Sequence, residues 1–173
     1  MFIHLSDYFV ISFFKPPYDM KSKNDYKKIL KALGPCGLNC EKCFANASGG
    51  IKYHSESLQE LLGNFDIYAE RFITLLDEPK FRHYPAFKIM LDYFANVSCR
   101  GCRAESCMLF KNCGVKDCYR LKGVDYCFQC DEFPCEKTNF DIHLKQRWIK
   151  INQRMKERGV EIYYNEIKEK PRY

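Results

Sequence analysis

The sequence lacks any apolar run long enough to cross a membrane, so a spanning helix is not expected. It has no glycine-rich loop of the kind that cradles a phosphate, no Ser/His/Asp arrangement and no paired catalytic carboxylates. With no catalytic constellation, the reading leans away from an enzyme. Tryptophan is represented once, and nothing reads as a long strand, which argues against an all-β architecture. The first fourteen residues, MFIHLSDYFVISFF, are apolar but make a poor export signal. They lack a basic start, carry Asp7, and run into Lys15-Pro16-Pro17 where a small-residue cleavage site belongs. Residues 1–19 therefore read as an N-terminal extension, with Met20 as an alternative start and the cytoplasm as the expected compartment.

Other properties place the chain among folded proteins. Its 173 residues are 46% apolar and 16% aromatic, the opposite of the balance that keeps a chain disordered. The formal charge of +6 permits an acidic partner such as nucleic acid without demanding one.

Cysteine is the abundant residue. There are 11, an odd number, and eight of them fall between Cys99 and Cys135. A secreted disulfide scaffold uses an even set, and the cytosol keeps thiols reduced, so pairing into disulfides is a poor account. Three CxxC pairs occur: Cys40/Cys43, Cys99/Cys102 and Cys127/Cys130. Two intervening residues form a tight knuckle that aims both sulfurs at one tetrahedral centre. Thiolate ligands select zinc first and an iron–sulfur cluster as the alternative. Closed all-thiolate sites leave no open coordination position, which points to structure and not to catalysis.

Around the cysteines the pattern is helical. A short basic helix is expected over Ser22–Leu33, stopped by Gly34-Pro35. Leu58, Leu61, Phe65, Tyr68, Phe72 and Leu75 mark one helical face, and Phe87, Met90, Leu91 and Phe94 a second; both stripes are expected to be core. A last helix is expected from about Asp141 to Glu157, with Phe140, Leu144, Trp148, Ile151 and Met155 as its apolar side and Gly159 as its stop. Arg147, Lys150, Arg154 and Arg158 make a basic face on it, either a nucleic-acid or protein contact or an ordinary solvated surface. The fold class is thus mainly α: a small helical domain with an irregular, zinc-knuckle-like cysteine subdomain. Its divisions are 20–98 for the first cysteine triad and helical part, 99–136 for the cysteine-rich segment, and 137–173 for the C-terminal helix and tail.

Cys36, Cys40 and Cys43 form CxxxCxxC, the spacing of radical S-adenosylmethionine enzymes. Lys42 stands where those enzymes usually carry an aromatic residue, and the remaining chain is too short for their large β/α barrel. A three-cysteine site completed from elsewhere fits better, by Cys107, by His54 or by a later cysteine. Cys99, Cys102, Cys113 and Cys118 are one expected grouping, which leaves Cys127, Cys130 and Cys135 also short of a fourth ligand. Phe44, Phe128 and Phe133 are expected to pack around the sites and keep water from the sulfurs.

Three stretches carry a resemblance: Cys36-Gly37-Leu38-Asn39-Cys40-Glu41-Lys42-Cys43, Cys99-Arg100-Gly101-Cys102-Arg103, and Cys127-Phe128-Gln129-Cys130-Asp131-Glu132-Phe133-Pro134-Cys135. With Cys113 and Cys118 they resemble a cysteine-rich bacterial and archaeal family, domain of unknown function 3795. The resemblance implies a metal-binding cytoplasmic protein without an assigned activity. Cys107 falls outside the motif. The expected metal ligands are Cys36, Cys40, Cys43, Cys99, Cys102, Cys113, Cys118, Cys127, Cys130 and Cys135. Function is expected to be that of a metal-stabilised binding or regulatory module; an iron–sulfur protein centred on the first triad and a thiol-based redox sensor are the alternatives.

Overall fold

The structure, a computed structural model, describes residues 20–104 and 107–173; the expected N-terminal extension lies outside them. Seven α-helices carry the described chain: α1 (Met20–Ala32), α2 (Gly50–Leu62), α3 (Phe65–Leu75), α4 (Tyr84–Ala95), α5 (Val115–Leu121), α6 (Ile142–Arg158) and α7 (Val160–Ile167). The described residues contain no strand, only two isolated bridges, Leu33 with Asn39 and Asn46 with Cys99. The mainly helical expectation holds.

Helix α1 stops where Gly34-Pro35 was expected to stop it, and the chain doubles back over the helix end. The amides of Cys40 and Glu41 donate to the Ala32 carbonyl at 2.7 and 3.1 Å, satisfying an acceptor that the helix leaves open. Helix α6 begins at Asp141, whose carboxylate accepts from the amides of His143 and Leu144 at 2.9 and 3.0 Å. That cap is worth about 1 kcal/mol. Its C-terminus is Gly159, at φ 86°, where the chain turns directly into α7. The expected short tail is therefore largely another helix.

The core lies between α1, α6, α7 and the cysteine-rich loops. Ile29 of α1 and Leu33 just beyond its end meet Met155 of α6, Tyr163 of α7 and Tyr126. Beside them Trp148 packs with Cys36, Leu38 and Val115, ringed by Phe110, Phe133 and Phe140. The apolar side expected for α6 faces this core.

The middle helices depart from expectation. Gly63, at φ 49°, ends α2, so the stripe from Leu58 to Leu75 is split across α2 and α3 rather than lying on one helix. Only Ser55, Ala69, Leu91 and Ala95 are buried in α2–α4. Leu61 is 83% and Leu75 63% exposed, and Tyr68, Phe87 and Met90 are exposed as well, so the stripes are not wholly core. The unit is held by an aromatic cluster, with Phe65 against Phe72, Phe81 and Tyr84 at ring-centre distances of 5.9, 6.1 and 5.2 Å. The Lys52 ammonium also donates to the Ala95 carbonyl at 2.8 Å.

Candidate metal centre

Apart from Cys118, which lies in α5, the cysteines sit on turns, loops and short 3-10 segments, and these carry their own hydrogen bonds. In the first knuckle the Cys43 amide donates to the Cys40 carbonyl at 3.2 Å, and Asn46 Nδ2 donates to the same oxygen at 2.8 Å. In the second, the Gly101 amide donates to Cys99 Sγ at 3.4 Å. In the third, the Cys130 amide donates to the Cys127 carbonyl at 3.1 Å, and the Phe133 amide to that of Cys130 at 3.2 Å. Backbone amides two or three residues on also favour the charged sulfur of Cys36 (from Leu38), Cys107 (from Phe110 and Leu109) and Cys113 (from Val115 and Lys116). An amide aimed at sulfur stabilises thiolate over thiol.

Tertiary contacts then gather these turns. The Cys99 amide donates to the Ala45 carbonyl at 3.0 Å, and its carbonyl accepts from the Ala47 amide at 2.9 Å. The first two knuckles are thereby set side by side. Gly34 leaves room for the first triad: a Cβ there would stand 3.2 Å from Cys40 Sγ and 3.4 Å from Cys36 Sγ. Burial pushes the Cys40 thiol up to about 11, against the pull of the nearby Arg172 guanidinium. Cys102 and Cys107 are tightly coupled, the hydrogen bond between them raising the first and lowering the second.

At the other end, Cys118, Cys127, Cys130 and Cys135 line one cavity of about 30 Å³, walled by Trp148 and Phe133. The approach depends on Gly114. Its amide donates to the Thr138 carbonyl at 3.2 Å, and a Cβ at this position would fall 1.9 Å from the Lys137 carbonyl oxygen. Lys122 and Lys137 also line this cavity, and both pair with Glu132, at 2.6 and 2.5 Å. Burial pushes the Cys127 thiol up to about 11, while the Trp148 indole N–H pulls the other way. That N–H is buried and has no hydrogen-bond partner in ordinary geometry.

All eleven cysteines are free thiols. Among the described residues no group of three or more His, Cys, Asp or Glu side chains stands ready to hold a metal ion, so the metal-binding subdomain remains an expectation. The expected grouping of Cys99, Cys102, Cys113 and Cys118 does not share one cavity among the described residues. Cys118 on α5 lines the same cavity as Cys127, Cys130 and Cys135, with Gly114 held against the 137–138 backbone. The first and third cysteine triads are neighbours: the Cys127 amide donates to the Pro35 carbonyl at 3.0 Å.

Asn152, invisible to the cysteine motifs, ties the two together. Its Nδ2 donates to the Cys36 and Trp148 carbonyls at 3.0 and 2.9 Å, and its Oδ1 accepts from the Phe128 amide at 3.0 Å. The available signal was a polar residue one turn after Trp148 on the apolar side of α6. His54 is exposed, rests on Tyr53, and lines a broad groove that also holds Cys43. Phe133 stacks edge-on to Trp148 at 4.9 Å, Phe128 lies parallel to Tyr126 at 6.1 Å, and Phe44 packs on Tyr93, Phe94 and Tyr173. The basic face of α6 is partly used internally: Arg154 and Arg158 both pair with Glu166, and Arg147 donates to the Arg172 carbonyl. Among the described residues no helix is long and apolar enough to cross a membrane.

These observations define a helical protein whose turns are organised around clustered thiols. Residues 32–140, well over half of the chain, match the family model described as Protein of unknown function (DUF3795), and the chain belongs to that family. No curated protein and no solved structure matches it.

Proposed function

We propose that this protein is a zinc-stabilised binding or regulatory module of the reducing cytoplasm. The cavity lined by Cys118, Cys127, Cys130 and Cys135 is the observation that carries the reading. Four thiolates are the donor set of a closed structural zinc site, with metal–sulfur distances of about 2.3 Å. The residues fit such an ion in two further respects. The Trp148 N–H already faces the Cys127 sulfur and would donate to its thiolate, and Lys122 and Lys137 would offset the net negative charge of a tetrathiolate site. Binding requires the sulfurs to close in by side-chain rotation. The ion would supply folding energy on the order of 10 kcal/mol to a segment that holds little regular structure.

Metal analysis of anaerobically purified protein tests this reading. Bound zinc, with one equivalent lost in Cys118→Ser and in Cys135→Ser, is the expected result. A metal-free protein whose stability ignores chelators would sink it. A brown protein with visible absorbance would instead favour the iron–sulfur alternative at Cys36, Cys40 and Cys43. Metal release by mild peroxide would favour the redox sensor.

A further inference from the structure

Helix α4 carries no charge on its outer side. Ala86, Ile89, Met90 and Tyr93 follow the i, i+3, i+4, i+7 spacing of one helical face, and all four are exposed. The two charged residues of α4 are turned toward its neighbours: Lys88 pairs with Asp66 of α3 at 3.6 Å, and Asp92 accepts from Gln59 of α2. Leu91 and Ala95 are buried on the inner side, where α4 packs on α2 and α3. A helix that is apolar all round belongs inside a core. Among the described residues nothing covers the outer side of this one. Ile89, Met90 and Tyr93 are 68%, 50% and 55% exposed; Phe87, at 44%, adjoins them, and Ile67, at 59%, lines the same groove as Ile89. At roughly 200 Å² for a whole side chain of this size, they form an apolar patch of about 500 Å². A standard interface covers about 800 Å² on each partner and is about 65% apolar between identical chains, which again requires about 500 Å².

We infer that the outer face of α4 is the interface of a two-fold homodimer, covered by the same face of a second copy in antiparallel orientation. The face is complementary to itself. With the two-fold axis between Ile89 and Met90, Ala86 meets the partner's Tyr93, and Ile89 meets the partner's Met90. A small residue set against a large one keeps the two helices evenly spaced along the contact. Tyr93 is already held for this role, its ring packed against Phe44 and Phe94 at 6.2 and 5.8 Å. The rim is complementary as well. The exposed Arg82 and His83 stand just before α4, and antiparallel pairing sets them beside the carboxyl end of the partner's helix, the negative end of its dipole. The inference is independent of bound metal, because α2–α4 contain no cysteine, so it and the zinc reading can fail separately.

The test is the mass of the full chain in solution, by light scattering after size exclusion over a range of concentrations. A particle of twice the 20.6 kDa chain is expected, a readout that needs no variant to fold. Met90→Glu places a charge at the centre of the contact. Its position is exposed in the single chain, so the helical circular dichroism should persist while the dimer dissociation constant rises at least about thirtyfold. Leu121→Glu, exposed on α5, should stay dimeric. Ala86→Tyr should break the dimer by overlap with the partner's Tyr93, and adding Tyr93→Ala to the same chain should restore much of it. A monomeric wild type would overturn the inference and leave the face to residues 1–19 or to a different protein. A dimer that Met90→Glu leaves intact, that Leu121→Glu weakens equally, or that the double variant fails to recover would also overturn it.

Discussion

Asn152 is 0% exposed, and all its hydrogen bonds go to backbone. A side chain that both donates to the Cys36 carbonyl and accepts from the Phe128 amide fixes the distance between the first and third cysteine turns. Asn152→Leu leaves both backbone groups buried without partners, at about 1–3 kcal/mol each. The urea midpoint should fall accordingly, and an unchanged midpoint would remove Asn152 from this role. Gly37 is a second such position. Its φ of +83° is one that a side chain resists, and a Cβ there would stand 2.3 Å from Ile151 Cγ2 and 2.7 Å from Met155 Cε. Gly37→Ala should cost at least about 2 kcal/mol by strain and overlap together. Both residues were visible in the sequence, Gly37 inside the CxxxCxxC motif, but nothing in the motif says that the turn presses on α6.

Glu132 makes a pH prediction at the same scale. Hydrogen bonds from Lys122 and Lys137, reinforced by their charges, hold its carboxyl down to about 2. A lowered folded pKa means that the unfolded chain takes up the proton first. The contribution is therefore present above the ordinary carboxyl range and is lost as pH falls from about 4.5 toward 2. Glu132→Gln should lose less stability than wild type between pH 6 and pH 3 in denaturant titrations. Equal losses would mean that the two lysines contribute nothing there.

At the scale of elements, the α2–α4 unit and α6 behave oppositely. Apolar periodicity made both look like core helices, yet α2–α4 exposes much of its stripe whereas α6 buries Trp148 and Met155 almost completely. Leu61→Gln should shift stability by no more than about 0.5 kcal/mol. Trp148→Ala should cost about 3–5 kcal/mol, because the cavity it opens adjoins Phe133, Phe140 and Cys127. Comparable effects for the two would contradict this division of burial. Gly63 explains where an expected helical stripe is split, and Gly159 where an unexpected helix begins. A glycine at positive φ ends one helix, but here the chain resumes a helix within one or two residues, and periodicity alone cannot mark that rotation.

For the whole molecule, the arrangement of thiols is the central feature. Cys36, Cys113, Cys127 and Cys135 pack in the same cluster as Leu38, Val115 and Trp148, and Cys43 and Cys99 in another with Ala45 and Val97, so the sulfurs are part of the packing and not an appendage to it. If metal holds them, chelation should raise hydrogen exchange first in residues 113–140, where regular structure is scarce, and least in α6. Uniform protection before and after chelation would count against metal as the organiser of that segment. The α2–α4 helices contain no cysteine and should keep their helical signal.

The sequence by itself determined the mainly helical class, the stops at Gly34-Pro35 and Gly159, the Asp141 start of α6, and the family, because each depends on residues close together in the chain. The partition of the thiols was decided by tertiary structure. CxxC spacing states only that two sulfurs can share a centre; which turns face one another depends on how Gly114 and Asn152 allow distant backbones to approach. Cys118 therefore sits with Cys127, Cys130 and Cys135, although its nearest preceding cysteine along the chain is Cys113.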